Sequence, residues 1–166
     1  MANITLHGNP FNTIGELPKV GNQAPDFELV KNDLSRVTLK DFLGNNIVLN
    51  IFPSIDTGTC AASVRAFNKS AAGLENTKVL NISRDLPFAQ ARFCGVEGIN
   101  DAITLSDYVN GNFGKNYNLV IADGPLESLL SRVVIIVNKE GKIIYSEQVS
   151  EIVNEPNYEA ALKSLK

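Results

Sequence analysis

Cys60 and Cys94 are the residues of this sequence best suited to covalent chemistry. Cys60 closes the stretch FPSIDTGTC, in which an apolar run ends at Pro53 and a Thr-Gly-Thr turn leads into the helical pattern AASVRAFNKSAAGL. The thiolate, not the thiol, is the nucleophile, and at an ordinary pKa of about 8.5 only ~3 % of a cysteine is ionised at neutral pH. A reactive Cys60 therefore needs a device that favours its anion. Thr57 is a good N-cap, which makes Cys60 the third helical residue, where a capping box would hold Glu or Gln. There it faces free backbone N–H groups and the positive end of the helix dipole. The Thr57 hydroxyl is expected to donate to the sulfur, and a cation from elsewhere in the chain is the third possible source of help. Asp56 opposes all of this and is expected to point away. Local sequence alone is satisfied equally by a buried, inert cysteine, a plain helix cap at Thr57 and a strand terminator at Pro53.

Other thiol chemistries fit less well. A disulfide oxidoreductase keeps its two thiols together as C-x-x-C, whereas Cys60 and Cys94 are far apart in sequence. A phosphatase loop needs C-x5-R, and Arg65 comes one position too early. Zinc needs about four ligands, and the single histidine, His7, is remote from both cysteines.

The elements that must position Cys60 follow from hydrophobic patterning. The segment NITLHGNPFNTIG alternates and turns at Gly8-Asn9-Pro10, which predicts a hairpin. VGNQAPDFEL is a loop entering a strand, and RVTLKDFLGNN a short strand with one helical turn. IVLNIF (47–52) is a continuous apolar strand of the kind buried on both faces. A helix over 58–72, closed by Gly73, follows it. KVLNIS (78–83) is a second buried strand, and PFAQARFCG (87–95) a helix with Pro at its start and Gly at its end. AITLSD is a short strand and GNFGKNYNL a loop or short helix. RVVIIVN (132–138) and KIIYSEQV (142–149) form a hairpin around KEG. EPNYEAALKSLK is a terminal helix with Pro156 in its first turn. This order predicts an α/β fold: a mixed central sheet flanked by helices, of the thioredoxin type, with an N-terminal β-hairpin. In open α/β sheets, sites lie beyond the carboxyl ends of the strands, where Cys60 falls.

Composition bounds the class. The chain has 166 residues, 44 % hydrophobic and 20 % charged, which predicts a single globular domain over 1–166 that buries roughly 70 % of its unfolded surface. A net charge of −3 without a basic block argues against nucleic acid. No apolar run reaches the ~20 residues that span a bilayer. MANITLHGNP has no basic stretch before an apolar core, so no signal peptide is expected and a cytoplasmic setting is. Cysteines in a reducing compartment are catalytic, redox-active or simply buried. The N-x-S/T triplets at Asn3, Asn68 and Asn81 are then chance matches.

Pro53-x-x-x-Thr57-x-x-Cys60 resembles the peroxiredoxin active-site motif, and NIFPSIDTGTCAASVR, DLPFAQARFCG and IADGP resemble the bacterial thiol peroxidase branch of that family. The resemblance covers nearly the whole chain. It implies reduction of hydrogen peroxide and organic hydroperoxides, with Cys60 as the peroxidatic cysteine, Thr57 holding thiolate and peroxide, and Pro53 shielding the pocket. Arg132 matches the family's active-site arginine; by local sequence it reads as a strand-end charge kept in water. Cys94 matches the resolving cysteine, which would form an intramolecular disulfide with Cys60. The resemblance also implies thioredoxin as reductant, a homodimer, and no metal, haem or nucleotide cofactor. The alternative is a non-enzymatic redox sensor or interaction module that uses the same disulfide as a signal. In the reduced fold no disulfide geometry is expected, and the short 87–98 helix is the one expected to open.

Overall fold

The computed structural model describes residues 1–99 and 101–166. β1 (Asn3–Leu6) and β2 (Asn9–Asn12) form a separate antiparallel hairpin. Its turn is His7-Gly8, both left-handed at φ 51° and 80°, not Gly8-Asn9-Pro10. Two successive residues of positive φ match the twist of the flanking strands, and Pro10 sits inside β2 opposite Thr5.

The main sheet uses β3 (Glu28–Val30), β4 (Arg36–Thr38), β5 (Asn46–Ile51), β6 (Thr77–Ser83), β7 (Ile103–Ser106), β8 (Val133–Val137) and β9 (Ile143–Gln148). Their order is β4-β3-β7-β6-β5-β8-β9. β5, β6 and β7 run parallel, and the remaining neighbours pair antiparallel, so the sheet is mixed as expected. The helices are α1 (Gly58–Ala71), α2 (Pro87–Glu97), α3 (Asn112–Asn116) and α4 (Tyr158–Lys163).

The continuous apolar run of β5 is explained by its two covered faces. Ile47, Leu49 and Ile51 point into one core with Phe113 of α3 and Tyr117, the residue that caps it. Val48 points into the other with Phe67 of α1 and Ala161 of α4. β8 divides the same way, Val133, Ile135 and Val137 against Val134 and Ile136. Each such side chain contributes about 1.5–3 kcal/mol through burial. Asn50 and Asn81 are polar but stand in this interior. Asn50 donates to Asn81 Oδ1 at 2.9 Å and to Ser63 Oγ at 3.2 Å, and Ser63 Oγ donates to the Cys60 carbonyl at 2.8 Å. That chain of bonds fixes the first turns of α1 to the middle of the sheet.

Two helix boundaries differ from the sequence reading. α2 continues through Gly95 to Glu97 and ends at Gly98, left-handed at φ 67°, whose N–H bonds back to Gly95 O. Gly98 needs no Cβ there. α4 begins after its cap Asn157, whose side chain accepts from Ala160 N, so Pro156 precedes the helix. Among the described residues no helix is long and apolar enough to cross a membrane.

Candidate active site

β5 ends at Ile51, and the loop Phe52–Asp56 carries the chain to the N-terminus of α1. Thr57 is the N-cap, and its Oγ1 accepts from Cys60 N at 3.4 Å. The same hydroxyl donates to Ser54 O at 3.2 Å. It therefore does not give its proton to the Cys60 sulfur, as the sequence suggested. Cys60 is fully buried among Phe52, Ile55 and Val64, with Phe93 packed against the group.

The cation that meets the sulfur is Arg132. Its Nη2 lies 3.2 Å from Cys60 Sγ and its Nε donates to Ile152 O at 2.7 Å. Far from being a strand-end charge in water, Arg132 is only 3 % exposed. Its Nη1 is buried and has no partner among the described residues. The guanidinium donates to the sulfur there, and its remaining donor is free for an oxygen of a small ligand. Asp56, by contrast, is exposed and pairs with Arg92 at 3.4 Å, away from the thiol as expected.

Several residues hold this geometry that sequence reasoning passed over. The Asp85 carboxylate accepts from Ser54 Oγ at 2.8 Å and from Ile55 N at 2.7 Å, which pins the loop after Pro53. Ser83 Oγ donates to the same carboxylate. Ile152, which orients Arg132, is held from the N-terminal hairpin: its N–H donates to Thr5 O at 2.9 Å. The neighbouring Glu151 carboxylate accepts from Thr5 Oγ1 at 2.8 Å, Gly8 N at 2.9 Å and His7 N at 3.0 Å. The Gly8 N–H and the Thr5 hydroxyl hold Glu151 below the usual carboxylate range. Thr59 Oγ1 adds a bond to Val153 O at 2.9 Å. These contacts join sequence-distant loops, so no local pattern announces them.

A cleft of about 340 Å³ opens over Pro53, Thr57 and Arg132. Its outer wall is apolar, with Leu6 of the hairpin, Leu126 and Leu129, and Val153. Pro53, Thr57, Cys60 and Arg132 thus come together. Cys94 does not join them. Both thiols are free, and Cys94 is buried in α2 beside the Thr104 hydroxyl of β7. Burial pushes its thiol up, with Thr104 opposing, which keeps it protonated and unreactive where it stands.

Residues 19–162 match the Redoxin family. The chain is 50 % identical over 165 residues to the thiol peroxidases of Mycobacterium bovis and Mycobacterium tuberculosis, covering 99 % of each chain. Among solved structures it superposes on a peroxiredoxin-like protein from Aquifex aeolicus with a TM-score of 0.91, at 36 % identity and over 98 % of this chain and 95 % of that one. It matches the fold of a thiol peroxidase from Chromobacterium violaceum with a TM-score of 0.90 at 22 % identity, over 98 % and 94 % of the two chains. With a buried cysteine at a helix N-terminus, an arginine on its sulfur and full-length likeness to these proteins, the chain belongs to the Redoxin family, on the branch that holds the bacterial thiol peroxidases.

Proposed function

We propose that the protein is a thiol-dependent peroxidase that reduces hydrogen peroxide and organic hydroperoxides. The observation that carries this reading is the contact of Arg132 Nη2 with Cys60 Sγ at 3.2 Å, with the buried Nη1 beside it unpartnered. A peroxide in the cleft places one oxygen in line with the sulfur and the other near Arg132. The Cys60 thiolate attacks the terminal oxygen, the O–O bond breaks, and the leaving oxygen takes up one proton from solvent to depart as alcohol or water. Arg132 stabilises charge as it builds on the leaving oxygen, and Thr57 orients the peroxide. Pro53 keeps bulk water off the sulfur. The apolar wall of Leu6, Leu126 and Leu129 suits the alkyl portion of an organic hydroperoxide.

Cys60 is now a sulfenic acid. Cys94 condenses with it to an intramolecular disulfide, and water leaves. For this, residues 87–98 open while the sheet stays formed. A dithiol protein, thioredoxin by family resemblance, then restores both thiols by exchange. A reducing, cytoplasmic setting suits two free cysteines, and a homodimer is the expected assembly. No metal, haem or nucleotide enters this cycle.

Titrating thiols before and after one equivalent of peroxide tests the cycle. Two thiols falling to none, in a band that runs as a monomer, is the expected result. Cys60→Ser, nearly isosteric, should fold normally and lose peroxide reduction; turnover near the wild-type rate in that variant sinks the assignment. A redox sensor would consume one equivalent of peroxide with a dithiol reductant present, where an enzyme consumes many.

A further inference from the structure

α2 carries Cys94, and its attachment to the sheet is unusual in chemistry. Its buried residues are Pro87, Gln90 and Cys94, on one helical face. Of its bulky apolar side chains, Phe88 and Val96 face outward at 66 % and 81 % exposure, and only Phe93 turns inward, against the cluster around Cys60. Little apolar area therefore grips the sheet. The anchor at the centre of the helix is polar instead. Gln90 is fully buried, and its Nε2 donates to Leu105 O at 2.9 Å and to Ser83 Oγ at 3.1 Å. Its Oε1 is buried with no partner among the described residues. The side chain is thus held by two donated bonds and penalised by one orphaned acceptor, so its closed position is incompletely satisfied. Two exposed ion pairs tie α2 to its neighbours instead, Arg65 of α1 to Glu97 at 2.9 Å and Asp56 of the preceding loop to Arg92 at 3.4 Å, and they contribute little at such exposure.

Gln90 and Cys94 are one helical turn apart on this face. Cys94 cannot swing from Thr104 toward Cys60 unless that turn leaves β7, and leaving breaks both Gln90 bonds. We propose that Gln90 is the latch of α2: a positioning residue whose two donated hydrogen bonds set how often the helix opens to deliver Cys94. The proposal rests on the reading that Cys94 resolves the Cys60 sulfenic acid. In that step the Cys94 sulfur bonds to the Cys60 sulfur, the sulfenic S–O bond breaks, and the hydroxyl leaves as water with the thiol proton. The Cys60 sulfur is reduced and the Cys94 sulfur oxidised, with no outside oxidant or reductant. A second peroxide competes for the same sulfenic acid and carries it to sulfinic acid. The latch therefore governs the partition between a recyclable disulfide and a dead-end sulfinate.

Gln90→Ala removes both donors and keeps a good helix former in place. In the reduced variant, amides 88–98 should exchange faster by about tenfold, the weight of roughly one net buried hydrogen bond. After one equivalent of peroxide the disulfide should form faster by a similar factor, and at excess peroxide the sulfinic share of Cys60 should fall. Ser83→Ala removes one acceptor of the latch together with the bond to Asp85, so it is read on α2 exchange and on disulfide formation timed from the sulfenic acid; both should shift in the same direction by less, and it replaces Gln90→Ala should that variant fail to fold. Unchanged exchange in α2 overturns the latch. So does faster exchange with an unchanged rate of disulfide formation, because opening would then not control delivery of Cys94. A wild-type protein that forms no disulfide at all overturns the resolving reading beneath it, a result that exchange data on Gln90→Ala cannot imitate.

Discussion

At the scale of single residues, the site depends on one guanidinium serving two masters. Arg132 donates from Nε to Ile152 O and from Nη2 to Cys60 Sγ, and its planar fork permits both at once. Losing one charge-stabilising donor typically costs ~10²–10³ in rate. Arg132→Ala is therefore expected to slow Cys60 oxidation by about that factor in rapid-mixing experiments. Arg132→Lys should recover little, because a single ammonium cannot meet the Ile152 carbonyl, the sulfur and a peroxide oxygen together. An unchanged oxidation rate in Arg132→Ala would reduce the arginine to a structural tie. Asp85 acts one step further out. Asp85→Asn replaces one acceptor oxygen of the carboxylate by a donor, so the bond from Ile55 N or that from Ser54 Oγ is lost. The expected effect is a smaller slowing of the same step, with α1 still capped by Thr57.

At the scale of elements, α1 and α2 have opposite duties. α1 is tied to the sheet through Ser63 and Asn50 and packs Phe67 into the core, which suits a helix whose N-terminus must stay formed around a thiolate. α2 packs a proline, a glutamine and a cysteine. Its closed state also depends on pH. Burial raises the Cys94 thiol, so closed α2 holds the proton more tightly than open α2. The closing free energy this contributes is complete below the ordinary thiol value, about pH 8.5. It is lost as pH climbs from there toward the raised value, since the open form can then ionise. Amide exchange across 88–98, corrected for its intrinsic pH dependence, should accordingly accelerate above about pH 8.5, and Cys94→Ser should remove the acceleration. The same variant should complete a first turnover at about the normal rate, accumulate sulfenic acid, and fail to recycle with a dithiol protein. Full-rate cycling of Cys94→Ser with thioredoxin would show that another group resolves Cys60.

At the scale of the whole molecule, the two ends of the chain close around the site. Thr5, His7 and Gly8 bond to Glu151, Leu6 walls the cleft, and Ile152 orients Arg132. The hairpin thereby reaches the sulfur through two intermediaries. Glu151→Gln loses charge-assisted acceptance of two backbone N–H groups. It is expected to raise amide exchange in residues 3–12 and to slow Cys60 oxidation by roughly three- to tenfold, the range of one net hydrogen bond. Since the folded carboxylate titrates below its ordinary value, this docking is present above that value and is lost as pH falls through the lowered one. Acid should loosen the wild-type hairpin, and Glu151→Gln should be loose at neutral pH and insensitive to that titration. Hairpin exchange equal to wild type at neutral pH would show that the backbone pairing alone suffices.

Local patterning settles much of this protein. The run NIVLNI with apolar residues at both parities demands a strand covered on two faces. Thr57 followed three residues later by Cys60 places the thiol at a helix N-terminus, because capping is a contact between near neighbours. The motif around Pro53, Thr57 and Cys60 is equally local, and so are its resemblances. What local patterning could not assign was the environment of charges. Apart from the family resemblance, Arg132 reads as a surface charge until β8 is placed beside β5 and the 151–153 segment folds over it. By local sequence the Thr57 hydroxyl is open to the sulfur, and the loop geometry gives it Ser54 O instead. Gly95 looks like a helix end, and only the packed structure shows that Gly98 takes the left-handed cap. Glu151, Asp85 and Gln90 have no local signature at all. Their partners lie on other elements, and a hydrogen bond depends on distances of a few tenths of an ångström that only the packed fold fixes.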